Sequence, residues 1–104
     1  MRFVTFAVIF AVALIAAGHL ALAAGDAAKG KQVYTINCIA CHNMDPGKAG
    51  AIGPAIKGSS QALIMARVLS ATYPKGYKPK RPTKMMPPMP HLKANIADLA
   101  AFLK

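Results

Sequence analysis

The chain has 104 residues with thirteen Lys and Arg against three acidic residues, a formal net charge of +10 and only two cysteines. A framework of several disulfides is therefore excluded, and after the first 24 residues no apolar run is long enough to span a membrane. Met1 to Ala24 has one early cation, Arg2, then an apolar run from Phe3 to Ala17, then small residues at Ala21-Leu22-Ala23. This order predicts a secretory signal peptide over residues 1–24, cleaved after Ala23 or Ala24. The competing reading is an uncleaved membrane anchor.

Residues 25–104 then form one domain of about 80 residues, too short to rely on an unaided apolar core. Loss of Arg2 leaves twelve cations against Asp26, Asp45 and Asp98, a net +9 with neutral histidines. The partner expected for such a surface is acidic. Nucleic acid would match the charge but not an exported compartment.

Asp26 is placed to cap a helix in which Ala27, Gly30, Val33, Tyr34 and Ile36 lead into Cys38. Asn43 to Lys57, with Pro46, Gly47, Gly50, Gly53 and Pro54, reads as a loop. Ser59 or Ser60 then caps a second helix over Gln61 to Ala71, with Leu63, Ile64, Arg67 and Val68 at helical spacing and Met65 as core. Six prolines between Tyr73 and Pro90 exclude helix and central strand, so that segment is extended. The last helix is expected over Lys93 to Leu103, with Ile96, Leu99, Ala100 and Leu103 on one face and Phe102 beside them. The class is all-α: three main helices, long loops and no repeat.

Cys38-Ile39-Ala40-Cys41-His42 is C-x-x-C-H, the attachment signature of covalent haem. Two thiols at that spacing add to the two vinyl groups of one porphyrin edge, and the imidazole reaches iron from the same short segment. A redox dithiol would call for a thioredoxin-like βαβ pattern, and a zinc site needs two further ligands nearby; neither is present. A C-x-x-C disulfide would close too short a loop to contribute much stability. The cofactor expected is one haem c with its iron, and its two propionates would bring the net charge to roughly +7.

His42 is then the proximal ligand, and its second ring nitrogen needs an acceptor. The Pro54 carbonyl in the Gly53-Pro54 turn is the candidate. For the sixth position Met85, Met86 and Met89 crowd the segment before the last helix. A thioether suits ferrous iron, and His/Met ligation raises the potential into the range of a carrier. Met86 is preferred because Pro87 and Pro88 stiffen the chain directly after it, with the other methionines as packing. Met85 is the second choice, and His91 would give bis-histidine iron.

Together these residues resemble the class I cytochromes c, the small soluble single-haem carriers of bacteria and mitochondria, over nearly all of residues 25–104. Gly30-x-x-x-Tyr34-x-x-x-Cys38 keeps that family's spacing of glycine and aromatic before the first haem cysteine. The resemblance implies the cytochrome c fold, with Gly30 and Tyr34 crossing the C-terminal helix at Leu99 and Phe102. It implies that Gly53-Pro54 is the turn whose proline carbonyl accepts from the proximal histidine. Counting back from Phe102 gives Met86 as axial ligand by the short bacterial pattern with Met-Pro-Pro, and Met85 by the mitochondrial one. Lys93 departs from the family's Ser or Thr helix cap, which moves the expected helix start toward Asn95.

Lys75 to Lys84 is also unusually basic for the family, with five cations in ten residues. Because the methionine loop of these proteins lies near the exposed haem edge, Lys75, Lys78, Lys80, Arg81 and Lys84 are expected to steer an acidic redox protein. A membrane oxidoreductase, an oxidase or a photosynthetic reaction centre would serve. Tyr73 and Tyr77 either cover a propionate or pack the loop. The function implied is one-electron transfer in the periplasm by a monomer without enzymatic activity or small-molecule substrate. The alternatives are a small haem subunit of an oxidoreductase, as in sulfur oxidation, and a ligand-binding or catalytic haem domain.

Overall fold

A computed structural model describes residues 25–104; the leader expected over 1–24 lies outside the described residues. Helix α1 spans Ala27–Asn37. It starts where Asp26, in extended conformation, accepts from the backbone N–H of Ala28 at 2.9 Å and of Lys29 at 3.2 Å. The cap thus satisfies two of the amides a helix start leaves unpaired. Helix α2 spans Gln61–Ser70, with Ser60 as N-cap accepting from Leu63 at 3.1 Å. It ends at Ala71, whose φ of 53° is the only left-handed non-glycine residue among those described. That strained backbone is held by its N–H donating to Ala66 and Arg67 and by the Arg67 guanidinium on its own carbonyl at 2.8 Å.

The last helical stretch departs from its expected single helix. A 3-10 helix, η1, runs over Pro90–Asn95, and α3 follows over Ile96–Leu103. Pro90 in its first turn favours a helical start, but no side chain caps Met89, and Leu92 closes back on Met89 at 3.0 Å. Asn95 precedes α3 without capping it; its amide instead donates to Asp98 Oδ2 at 3.3 Å.

One buried cluster joins these pieces: Tyr34, Ile64, Val68, Leu92, Ile96, Leu99 and Leu103. The helices meet on i, i+4 stripes, Gly30 with Tyr34 on α1 and Ile64 with Val68 on α2. Met65 lies off that stripe and is 47% exposed, so it is a surface residue of α2 and not core. Ile36 faces outward from α1 for the same reason. At the crossing of α1 on α3, a Cβ on Gly30 would strike the Asp98 carbonyl, so only glycine permits the approach. The Tyr34 and Phe102 rings pack beside it at 5.3 Å with a 52° tilt. Asp98 Oδ1 also accepts from the Asp26 N–H at 2.9 Å, fastening the start of α1 to α3. Among the described residues no helix is long and apolar enough to cross a membrane.

Candidate haem site

Helix α1 delivers Cys38 at its C-terminal end, where the Cys38 N–H donates to Tyr34. One further turn places the rest of the motif, with Cys41 N–H and His42 N–H both donating to the Cys38 carbonyl at 3.2 and 2.9 Å. The Tyr34 hydroxyl donates to the Asn43 carbonyl, so the buried aromatic of the helix crossing also ties down the chain just past the motif. Burial, then the neighbouring Cys38 and Asp45, push the Tyr34 phenol up. The Cys38 thiol, when unattached, is pushed up to about 11, first by burial and then by Cys41. Such a thiol is neutral at physiological pH and sits against apolar surroundings.

The 50–55 segment folds over His42. The Cys41 carbonyl accepts from Ile52 at 3.2 Å and Gly53 at 2.9 Å, and Gly50 N–H donates to Gly53 at 2.9 Å. Gly53 is buried against the imidazole, and a Cβ there would collide with the ring. His42 Nδ1 lies 2.9 Å from the Pro54 carbonyl. A carbonyl only accepts, so a proton resides on Nδ1 and Nε2 is left outside this bond.

Cys38, Cys41, His42 and Pro54 line a cavity of about 310 Å³. That volume falls at the lower edge of the range of cofactor sites, about 300–1,000 Å³. Its other walls come from Ile64 and Val68 of α2, Leu99 and Leu103 of α3, and Met86 and Met89 of the proline-rich segment. With Tyr34, five of the seven residues of the apolar cluster thus face this space. Met86 is half-buried and packed against the cluster, whereas Met85 is 65% exposed and outside the lining. Met89 is half-buried, and its N–H donates to Val68 at 2.6 Å. His91 is exposed and does not line the cavity. Among the described residues no three His, Cys, Asp or Glu side chains group as an all-protein metal site.

Two features of the basic segment were not legible as sequence. Tyr73 and Tyr77 stack at 5.4 Å and 10°, with the Arg67 guanidinium 4.1 Å above the Tyr73 ring, and all three line the cavity. Arg81 turns inward and donates to the Ile52 carbonyl at 2.7 Å, while Lys80 Nζ donates to Ala55 at 2.8 Å. Lys75, Lys78 and Lys84 are exposed. The single arginine in a run of lysines was the available signal, since a forked guanidinium is suited to adjacent acceptors.

The donor set matches one group. Two thiols one turn apart, an imidazole with a free nitrogen, a thioether and apolar walls with cations at the margin suit a covalent haem better than a bare ion. The Cytochrome c family model matches residues 27–104. The chain is 30% identical over 83 residues to "Cytochrome c-553-like" of Synechocystis sp. (strain ATCC 27184 / PCC 6803 / Kazusa), covering 77% of this chain and 69% of that protein. It is 38% identical over 50 residues to "Cytochrome c2" of Blastochloris viridis, covering 48% of this chain and 39% of that protein. No solved structure matches the chain. The chain belongs to the cytochrome c family, as a class I monohaem member. It carries covalent haem c with its iron and is a haem electron carrier.

Proposed function

We propose that residues 25–104 are a periplasmic one-electron carrier, exported by a signal peptide over 1–24, with His42 and Met86 as axial ligands and thioether bonds from Cys38 and Cys41. The observation that carries this reading is the convergence of those four side chains on one cavity whose wall includes a half-buried Met86. When bound, the haem supplies an iron that alternates between ferrous and ferric states. The protein's part is to hold that iron still. Pro54 orients the His42 ring, Gly53 gives it room, and Pro87 and Pro88 stiffen the chain after Met86. Apolar walls limit water, which favours the less charged ferrous form.

Exposed Lys75, Lys78 and Lys84 support an acidic redox protein as partner, bound briefly and steered by charge.

The axial assignment is tested by the weak red methionine-to-iron charge-transfer band of the oxidised protein. Met86→Ala abolishes it, and Met85→Ala and Met89→Ala retain it. A wild-type protein that lacks the band and readily binds cyanide is instead a ligand-binding haem domain. The partner assignment predicts that the rate of reduction by an acidic redox protein falls with ionic strength; a flat dependence rejects it. Export is checked by the mass of the periplasmic protein, which should lack the leader.

A further inference from the structure

Resting on the roles just proposed for His42 and Pro54, a second one follows for two cations of the basic segment. The turn over His42 exposes a row of carbonyls toward Lys80 and Arg81, 25 to 31 positions further along the chain. The Gly53 carbonyl takes the Gly50 N–H, and the Pro54 carbonyl faces His42 Nδ1. The carbonyls on either side are taken by side chains. Arg81 Nη1 donates to Ile52 at 2.7 Å and reaches Gly50 at 3.4 Å, with Nη2 3.5 Å from Gly50. Lys80 Nζ donates to Ala55 at 2.8 Å. Adjacent cations therefore grip the chain immediately before and immediately after Gly53-Pro54.

We propose that Arg81, assisted by Lys80, is a positioning residue for the proximal histidine: it holds the 50–55 turn closed so that the Pro54 carbonyl stays on His42 Nδ1. Backbone bonds from Ile52 and Gly53 to the Cys41 carbonyl hold one side of the turn, but its own side chains add little. Ala51 is exposed and Ile52 half-exposed, and the glycines at 50 and 53 add no side-chain packing. A half-buried guanidinium fits because it brings several donors in a fixed fork, which a lysine does not. Charge-assisted bonds to carbonyls are also stronger than neutral ones. The basic segment thus has two faces. Lys75, Lys78 and Lys84 point to solvent, and Lys80 and Arg81 bind the proximal turn, so the partner-facing segment is mechanically joined to the ligand on the other side of the motif.

The test is solvent exchange of the His42 ring Nδ1 proton in the ferrous holoprotein carrying 15N-labelled histidine. Arg81→Gln is expected to accelerate that exchange about tenfold, the effect of losing one charge-assisted hydrogen bond. Arg81→Lys, which keeps one donor for Ile52 but loses the fork to Gly50, recovers only part of the protection, Lys80→Gln loses part of it, and Lys78→Gln loses none. Backbone amides of α1 recorded in the same samples keep their wild-type rates. Equal exchange in Arg81→Gln and Lys78→Gln overturns the assignment, as does an equal acceleration of the α1 amides, which would show a merely structural role. If Arg81→Gln does not accumulate as holoprotein, wild-type exchange in both Lys80→Gln and Arg81→Lys overturns it. A wild-type ring proton that exchanges as fast as free imidazole overturns the Pro54 reading itself and this inference with it. Failure of the Met86 band, by contrast, leaves the ring-proton result standing.

Discussion

The crossing of α1 and α3 and the loops around the cavity are held by different physics. At the crossing, Tyr34 and Leu99 are each 1% exposed, a glycine lets backbones touch, and two aromatic rings pack at a tilt. Side-chain burial dominates there, with one hydrogen bond from the Asp26 N–H to Asp98 beside it. Around the cavity, the 50–55 turn and the 71–89 segment are joined by cations on carbonyls and border the space proposed for the haem. The lesson is a division of labour: one half of a domain of this size folds around itself, and the other half folds around its cofactor.

The largest test removes the residue shared by both halves. Leu99→Ala should cost about 3 kcal/mol in denaturant unfolding, because a fully buried leucine leaves a cavity where α3 meets both α1 and the haem space. Gly30→Ala should cost about 2 kcal/mol, since its methyl group meets backbone that cannot move aside, while the charge-transfer band stays where it was. Gly53→Ala should do the reverse, shifting that band by displacing the His42 ring. A Gly30→Ala variant with an altered band and normal stability would erase the distinction between the two regions.

Smaller effects probe the joints between them. Tyr34→Phe keeps the ring on Phe102 but removes the hydroxyl that donates to Asn43, and should lower stability by about 1 kcal/mol in the same unfolding experiment. The weakest effect concerns Asp98. Its carboxyl is held below its ordinary 3.8, chiefly by the Asp26 N–H, with Asn95 and Lys29 adding to this against some desolvation. A folded-state value below the unfolded one contributes stability that is fully present above about pH 4 and lost as pH falls through the lower value. Asp98→Asn should therefore flatten the acid limb of thermal midpoint against pH and leave the neutral limb nearly parallel to wild type. An unchanged acid limb would show that this contact does not link the start of α1 to α3.

Much of this was legible in advance because it is local. The Asp26 and Ser60 caps act within three residues of themselves, and the stripes of α1, α2 and α3 repeat at helical spacing. The same spacing misled for Met65, since a methionine one position off the stripe is as apolar in the sequence as one on it. The start of the last helix was blurred because Pro90 favours a first turn while Lys93 offers no cap. In the candidate site, C-x-x-C-H needs only its five consecutive residues to be read. Arg81 was placed with the outward lysines, because charge in a sequence carries no direction.

By itself, then, the sequence determined a haem-attaching motif at the end of a capped helix, an all-α chain, and a basic proline-rich segment bearing three methionines. Tertiary structure alone decided that Met86 and Met89 line the cavity while Met85 faces outward, which cations bind the proximal turn, and that the Pro54 carbonyl meets His42 Nδ1 at 2.9 Å. Local rules act through neighbours within one helical turn, where geometry is nearly the same in every protein. The second set depends on contacts between segments far apart in the chain, such as Arg81 with Gly50 31 positions before it, and the path of the whole chain sets those.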